Sequence, residues 1–167
     1  MLEALYIIAL VVAFTTFAAL MQLWQARGLP EGPAPALSGA GLDGRPASLV
    51  RTLAENGGKP VLIAFWATWC EACKFEDGSL ESLARDWPTL TVAIQSGEPD
   101  TVAQHLRERG RNFPAIADTD GRIAEAWKIR GVPTHFIVDG KGNVRFRIVG
   151  FATEWGLRAR LWWAGRS

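Results

Sequence analysis

A short apolar run that leads directly into the chain's only two cysteines constrains the fold more than any other feature. The run covers residues 61–66, and two glycines, a lysine and a proline precede it at residues 57–60. An apolar run of this length after such residues is typical of a strand that is buried on both faces. The thiols of Cys70 and Cys73 therefore come just after the end of a buried strand.

The residues that follow Cys70 predict a helix. Its apolar face would consist of Phe75, Leu80, Leu83, Ala84 and Trp87. Cys70 would then lie at the helix N-terminus, where unpaired backbone N–H groups and the positive end of the helix dipole favour the thiolate over the thiol. In such positions the pKa of a cysteine falls from about 8.5 to roughly 3.5–7.5. We therefore predict that Cys70 is a nucleophile near neutral pH.

Cys73 lies one turn further into this helix, and we expect it to be buried and less acidic than Cys70. If Cys70 attacks a substrate disulfide, Cys73 is placed to attack Cys70 in turn and to release the substrate. The pair would alternate between a dithiol and a redox-active disulfide. The predicted catalytic residues are thus Cys70 and Cys73.

Three other uses of a cysteine pair have to be compared with this one. Structural zinc needs four ligands, and the remaining soft ligands, His105 and His135, lack the local spacing of a zinc finger. Two thiolates suit Cu(I), so a non-catalytic copper carrier remains the alternative function. A purely structural disulfide would close too short a loop to constrain the unfolded chain. For the exchange function we expect no metal and no cofactor.

Residues 65–74, FWATWCEACK, resemble the active site of thioredoxin-fold proteins. The resemblance implies a proline opposite the dithiol, and Gly131-Val132-Pro133-Thr134 is similar to that loop. In the family this proline is cis, and an X-Pro bond is where a cis peptide costs least. The resemblance also implies that the backbone at Val132 and Pro133 binds an extended substrate segment beside Cys70.

Two further features resemble a subgroup of that family. Pro133 lies 60 residues after Cys73, which is farther than in plain thioredoxin and similar to relatives with an added strand and helix before the proline loop. With the apolar N-terminus, the chain resembles membrane-tethered proteins of the cytochrome c maturation and copper-sensitivity-suppressor D type. The resemblance covers roughly residues 37–167, and residues 150–162 are most similar to the copper-sensitivity group.

The chain also departs from thioredoxin. Ala64 stands where many thioredoxins have a buried aspartate that assists proton removal from the inner thiol. Glu76 matches an acidic position of the cytochrome-assembly relatives, and we predict that it relays the proton of Cys73; the alternative is a solvated helix residue. Asp77 and Gly78 stand where related helices carry a kinking proline, so we expect a weaker bend or one made differently.

Other residues near the cysteines have more than one reading. Trp69 would either shield the Cys70 sulfur or contact a substrate. The alternation of residues 134–138 predicts that His135 faces the wetter side of a strand. The charge of Glu71 opposes a thiolate on Cys70, although it suits the helix N-terminus. A less stable thiolate means a more reducing couple, so we predict a reductant or an isomerase-like carrier.

An uncharged apolar segment opens the chain. Residues 4–20 contain no charged side chain, and residues 21–24 add only Gln22 as a polar residue. A helix over residues 4–24 would span about 31 Å, close to a hydrocarbon core of roughly 30 Å. We expect residues 1–25 to form an uncleaved transmembrane anchor, because no Lys or Arg precedes the segment and no small-x-small site follows promptly. A cleaved signal peptide and a buried helix are the alternatives.

The predicted location follows from kinship rather than from charge. Glu3 before the apolar segment and Arg27 after it give no positive-inside signal. The resemblance implies a single-pass protein of the bacterial inner membrane, with its catalytic domain in the periplasm. It also implies cysteine-containing envelope proteins as substrates and a membrane thiol as electron donor. The absence of cysteines outside the motif agrees with an oxidising compartment.

The rest of the chain predicts an α/β layered fold. Glycines and prolines make residues 26–36 a linker, and residues 37–167 would form one thioredoxin-like domain with a central mixed sheet flanked by helices. Its later strands are expected at residues 90–94, 113–117, 134–138 and 144–149. With 18 basic and 17 acidic residues and a net charge of +1, nothing indicates a nucleic-acid interface. A thiol peroxidase is disfavoured, because Thr-x-x-Cys does not occur around Cys70.

Overall fold

The computed structural model describes residues 2–166, without the side chains of residues 2, 4, 5 and 23. Met1, the first residue of the predicted anchor, and Ser167, the last residue of the predicted domain, lie outside the described residues. The helices are α1 (Leu2–Gln25), α2 (Leu49–Glu55), α3 (Glu71–Lys74), α4 (Asp77–Asp86), α5 (Pro99–Glu108), α6 (Arg122–Ala126) and α7 (Glu154–Ala164). The strands are β1 (Gly32–Pro33), β2 (Ser38–Ala40), β3 (Pro46–Ser48), β4 (Val61–Trp66), β5 (Thr89–Ile94), β6 (Ala115–Asp118), β7 (Thr134–Val138) and β8 (Asn143–Val149).

The predicted α/β fold with a mixed sheet is confirmed. Six strands lie in the order β1-β8-β7-β4-β5-β6, and β2 pairs with β3 in a separate hairpin. The apolar run of the sequence is β4, and all six of its residues are buried. It pairs in parallel with β5 and antiparallel with β7. The cysteines therefore follow the carboxyl end of a central strand.

The predicted strand and helix between the cysteines and the proline loop are β6 and α6. β6 extends the sheet at its edge beyond β5, as the proline just before it indicated. The carboxylate of Asp118 accepts hydrogen bonds from the N–H groups of Ile123 and Ala124, at 3.0 and 2.8 Å, and so caps α6. The fully buried Trp127 ends this helix and packs edge-on against Phe136, with ring centroids 4.8 Å apart. These contacts fix the start of the segment that leads to Pro133.

The single helix predicted after Cys70 is broken into two. α3 ends at Lys74, and α4 begins at Asp77. Phe75, placed by the pattern on the buried face, is 80% exposed. The reason is that the next two side chains are drawn inward: Glu76 and Asp77 are both buried. Arg109 stabilises the break, because its guanidinium donates to Asp77 at 2.6 Å and to the Lys74 carbonyl at 3.2 Å.

The N-terminal segment is helical, as predicted, and its end contacts the sheet. Most side chains along α1 are exposed and apolar: Tyr6, Ile7, Ile8, Leu10, Val11, Val12, Phe14, Phe17, Leu20, Met21 and Trp24. The Gln22 side chain donates to the Val149 carbonyl at 3.0 Å, and Ala26 and Leu29 are buried. Within the part of the chain whose side chains are described, no helix combines the length and apolarity needed to span a membrane.

Residues of the predicted linker join the sheet. Gly32 and Pro33 form β1 and pair with Val144 and Asn143 of β8. Together with the buried Ala26 and Leu29, they bring this segment into contact with the domain that was expected to begin at residue 37. The division into residues 1–25, 26–36 and 37–167 stays a prediction.

Candidate active site

The two cysteines form a disulfide at the start of α3, with their Cα atoms 5.3 Å apart. Cys70 is the N-cap of this helix, and its Sγ accepts a hydrogen bond from the Cys73 N–H at 3.1 Å. The predicted position of Cys70 at a helix N-terminus is confirmed. Cys73 is 2% exposed and Cys70 is 6% exposed, so both residues are buried and Cys70 is slightly the more exposed. A backbone donor thus already points at the sulfur that would carry the negative charge.

The loop before β7 brings Val132 and Pro133 to the disulfide. The Val132–Pro133 peptide bond is cis, as the resemblance implied. The carbonyl oxygen of Val132 lies 3.7 Å from Cys70 Sγ. Pro133 is held in turn by Gly150, whose N–H donates to the proline carbonyl at 2.8 Å. The structure therefore brings together the predicted nucleophile and the predicted substrate-binding backbone, which are 62 residues apart in the chain.

Trp69, the residue before Cys70, is anchored by a hydrogen bond from its indole N–H, but more than half of the residue is exposed to solvent. Its indole N–H donates to the Gln95 carbonyl at 3.2 Å, and the Thr68 N–H next to it donates to Ser96 Oγ at 3.0 Å. Even so, 57% of Trp69 remains exposed. An oriented and exposed indole beside the disulfide suits contact with a substrate better than shielding of the sulfur.

Glu76 is not a solvated helix residue. It is 2% exposed, and its own N–H donates to the Cys73 carbonyl at 2.9 Å. One of its carboxylate oxygens accepts the N–H of Ala152, and the other lies 3.1 Å from His135 Nε2. The carboxylate predicted to serve Cys73 is therefore buried one helical turn from it, with two partners that hold it in place.

The prediction that His135 faces the wetter side of a strand is wrong. His135 is 1% exposed, and all five residues of β7 are buried. The strand pairs along both edges, with β4 and with β8, and the burial of all five of its residues means that both of its faces are covered as well, so alternation carries no information there. His135 pairs with Ala64 in the register of the two strands. Sequence reasoning favoured a plain strand residue over ligand or acid–base work for His135, although a polar residue in a strand this central was the available signal.

Glu71 does not act as an unpaired charge beside Cys70. Its carboxylate forms an ion pair with Lys74, and the hydrogen bond from the Lys74 ammonium group lowers the pKa of Glu71. Lys74 stands three residues later, where side chains of one helix meet. The repulsion expected between Glu71 and a Cys70 thiolate is thus offset by a neighbouring positive charge.

Two exposed aromatic side chains are neighbours in sequence of the residues that hold the buried carboxylate. Phe75 and Phe151 are 80% and 57% exposed, and each is next in sequence to one partner of the Glu76–Ala152 hydrogen bond. The two rings are therefore attached to backbone segments that touch. We call Trp69, Phe75 and Phe151 the aromatic rim. The sequence did not reveal Phe75 as part of it, because the helical pattern assigned this residue to the core.

A Cys-x-x-Cys disulfide that follows a central buried strand and faces a cis-proline occurs in a defined class of α/β proteins. The fold and this geometry place the chain among the thioredoxin-like proteins. A model of the AhpC/TSA family matches residues 30–147. The match covers more than half of the sequence, and the chain belongs to this family.

Individual relatives agree with that class. The chain is 34% identical over 107 residues to a "Thioredoxin-like protein" of Haemophilus influenzae, which covers 64% of each chain. It is 33% identical over 134 residues to the "Thiol:disulfide interchange protein CycY" of Rhizobium leguminosarum, covering 75% of this chain and 72% of the relative. For several curated relatives, the chain spans only about three fifths of their length, at 64%, 59% and 56%.

A solved structure supports the fold directly. The crystal structure of a thiol:disulfide interchange protein of the thioredoxin family from Chlorobium tepidum TLS superposes with a TM-score of 0.67 at 27% identity. It covers 81% of this chain and 97% of the other. The predicted thioredoxin-like fold is thereby confirmed. The alternative prediction of a Cu(I) carrier finds no support, since these relatives are named for thiol–disulfide chemistry.

Proposed function

We propose that this protein exchanges disulfides with cysteine-containing proteins, with Cys70 as the attacking sulfur and Cys73 as the resolving sulfur. The observation that carries the proposal is the position of Cys70 Sγ, 3.1 Å from the Cys73 N–H and 3.7 Å from the carbonyl beside a cis-proline. The first contact stabilises negative charge on the sulfur. The second brings that sulfur to a backbone edge where an extended chain can bind.

The reaction runs in two displacement steps. The Cys70 thiolate attacks one sulfur of a substrate disulfide, and the other substrate sulfur leaves as a thiolate and takes up a proton. Cys73 then loses its proton and attacks Cys70 Sγ, which forms the disulfide seen in the structure and releases the second substrate thiol. Val132 and Pro133 dock the substrate backbone, and Trp69 contacts its side chains. Glu76 receives the Cys73 proton.

The direction of electron flow that we propose is reduction or isomerisation of substrates. Glu71 and Ala72, between the two cysteines, supply no positive charge to a thiolate. The buried carboxylate of Glu76, one turn beyond Cys73, opposes a thiolate on that side by like-charge repulsion. Both features leave the dithiol less stabilised and the couple more reducing. A reduction potential close to that of strong protein oxidants, about −120 mV, would contradict this direction.

The place of action that we propose is the bacterial envelope, with α1 as a single-pass anchor in the inner membrane and the domain in the periplasm. Support comes from the exposed apolar side chains along α1 and from the resemblance of the sequence to membrane-tethered proteins. A membrane thiol would supply the electrons, and envelope proteins with cysteines would be the substrates. Fractionation of cells that express the full chain tests the anchor, which is rejected if the protein is recovered without detergent.

Exchange rather than peroxide reduction is proposed even though the family model carries the AhpC/TSA description. The residue three positions before Cys70 is Ala67 and not threonine, so the peroxidatic pattern is absent. The resolving sulfur is already bonded to Cys70 within one turn. Consumption of hydrogen peroxide at a rate comparable to disulfide exchange would overturn this choice.

The experiment that tests the proposal is trapping of the mixed disulfide. A Cys73→Ala variant of the full chain, expressed in cells, should accumulate covalent adducts that disappear on reduction, because Cys70 still attacks and nothing resolves the product. The matched control is Cys70→Ala, in which the buried Cys73 remains alone and few adducts form. Equal adduct levels in the two variants would contradict the assignment of roles, and mass spectrometry of the adducts identifies the substrates.

A further inference from the structure

A buried pair of titratable groups, Glu76 and His135, lies beneath the disulfide, and only one of the two has a role so far. Glu76 Oε2 is 3.1 Å from His135 Nε2, and the two residues are 2% and 1% exposed. They come from different elements, because Glu76 lies in the break between α3 and α4 whereas His135 lies in β7. A contact between two such side chains, both withdrawn from water, is costly unless each satisfies the other.

The hydrogen bonds around Glu76 assign the proton of the imidazole. Oε1 of Glu76 accepts the N–H of Ala152 and lies 3.3 Å from His135 Nε2, whereas Oε2 is closer to Nε2, at 3.1 Å, and has no other donor among the described residues. Oε2 needs a donor, and Nε2–H of a neutral imidazole supplies it. In this tautomer Nδ1 carries a lone pair, and among the described residues Nδ1 has no hydrogen-bond partner. Glu76 is then a carboxylate with a donor on each oxygen.

His135 stands where it can hold this carboxylate without blocking the cysteines. It pairs with Ala64 across β4 and β7, and directly opposed residues project to the same face of a sheet. The small side chain of Ala64 leaves room there for the imidazole. Cys73 is buried in α3, and its carbonyl accepts the N–H of Glu76, which lies just beyond the end of that helix. The arrangement therefore runs from β7 through His135 to Glu76 and on to Cys73.

We propose that His135 is a positioning residue for the resolving step and acts through Glu76 on Cys73. Its Nε2–H orients the Glu76 carboxylate and keeps it available as the acceptor of the Cys73 proton. When Cys73 attacks Cys70 Sγ, the new S–S bond forms as the bond from Cys70 to the substrate sulfur breaks. The Cys73 proton passes to Glu76 and then to the departing substrate thiolate. This inference rests on the proposed function and assigns a residue that the exchange chemistry alone does not require.

The two steps can be measured separately on the full-length protein with 5,5′-dithiobis(2-nitrobenzoate). Reduced protein releases one coloured thiol when Cys70 attacks and a second when Cys73 resolves the mixed disulfide. We expect His135→Leu to slow the second release by roughly 10²-fold, the lower end of general acid–base effects, and to change the first by less than about twofold. A structural role alone would not separate the two phases.

Conservative variants provide the matched controls. His135→Gln keeps an N–H donor within reach of Glu76, so its second phase should remain within about threefold of the wild type. His135→Asn has an amide too short for that contact and should behave like His135→Leu, which covers the case in which the leucine variant does not fold. In a Glu76→Gln background, His135→Leu should have no further effect, because residues that act as one unit are not additive.

The results that overturn the proposal are equally distinct. An unchanged second phase in His135→Leu and His135→Asn, an equal loss in both phases, or a full additional loss in the Glu76→Gln background would each reject it. Failure of the proposed function looks different, since the Cys73→Ala variant would then trap no protein adducts in cells, whatever the two phases with this reagent show.

Discussion

The exchange chemistry depends on Cys70. Its thiolate is stabilised by nearby groups and not by the dipole of a long helix. α3 contains four residues, so the dipole of one helical turn is all that it offers. The Cys73 N–H at 3.1 Å from Cys70 Sγ is the specific interaction that stabilises a thiolate. The ion pair of Glu71 with Lys74 removes the nearest opposing charge. Cys70 is thus activated by one backbone donor and by a neutralised neighbour.

At the same scale, Trp69 is predicted to recognise protein substrates. Its exposed indole is fixed by the Gln95 carbonyl, so a substrate gains contact area at little entropic cost. Trp69→Ala should raise the KM for a protein disulfide by about tenfold, equivalent to about 1.4 kcal/mol, and leave the rate with a small disulfide unchanged. Trp163→Ala is the matched control, because Trp163 is 64% exposed on α7. Equal effects of the two substitutions would remove Trp69 from the binding surface.

At the scale of elements, the break between α3 and α4 organises the site. A continuous helix would have placed Phe75 inward, yet the buried positions go to Glu76 and Asp77. Asp77 is paired with Arg109 from the end of α5, at 2.6 Å, and Glu76 is bonded to Ala152 just before α7. Contacts with the end of α5 and with the segment before α7 therefore stabilise the interruption between α3 and α4. The interruption exposes Phe75 and buries the Glu76 carboxylate at the same time.

Packing of α4 against α7 predicts a pH-dependent contribution to stability. Glu154 accepts hydrogen bonds from Arg158 and from Ser82 of α4, both at 2.8 Å, and these lower its pKa below the ordinary 4.5. Since the folded state prefers the carboxylate, the contribution is complete above the unfolded pKa and is lost as pH falls below about 4.5 through the folded value.

Glu154→Gln should therefore destabilise the protein at neutral pH by about 1 kcal/mol or less, since Glu154 is partly exposed and solvent screens the pair. Urea denaturation at several pH values measures the effect, and the gap to the wild type should narrow as the solution becomes more acidic than the ordinary pKa of glutamate. Glu125→Gln, at an exposed position of α6, serves as the control. A gap that is constant with pH would show that the Glu154 contacts are not ionic.

At the scale of the whole molecule, the segment before residue 37 belongs to the folded body more than the sequence indicated. Leu29 is buried, β1 pairs with β8, and Arg147 of β8 forms an ion pair with Glu31. The end of α1 is tied to the Val149 carbonyl, and Val149 pairs with Thr134 next to the cis-proline. The N-terminal helix therefore joins the domain close to the active site.

A truncation series tests this boundary. A chain that begins at residue 26 should keep the stability of the full domain, whereas one that begins at residue 37 should lose at least about 2 kcal/mol, the value of burying one leucine. The free energy of unfolding in urea gives the comparison. Equal stability of the two chains would restore residue 37 as the start of the domain.

The sequence was sufficient for the parts of the fold that depend on local pattern. The buried run predicted β4, and the apolar pattern after Cys70 placed that residue at a helix N-terminus. Each of these follows from residues close together in the chain. The resemblance then supplied the long-range pairing that no local pattern contains.

The features that sequence reasoning missed are set by tertiary contacts. The break at Phe75 depends on Arg109 from the end of α5, and the burial of His135 depends on distant parts of the chain that cover both faces of β7. The pairing of Glu71 with Lys74 could have been predicted, because the two residues are three apart in a helix. Only the effect of Glu71 on Cys70 was considered. Glu76 was identified from the family resemblance. Its contact with His135 could not be predicted, because the two residues are far apart in the sequence.

The proposed exchange reaction requires that Cys70 ionises readily and is the sulfur that attacks. It is tested most directly by alkylation of the fully reduced protein with iodoacetamide across a pH series, with mass spectrometry to assign the modified sulfur. We predict that Cys70 reacts first and that the pH at which its alkylation rate is half-maximal lies below about 8.5, the pKa of an ordinary cysteine. Modification of Cys73 at the same rate, or reaction of Cys70 only above that pH, would contradict it.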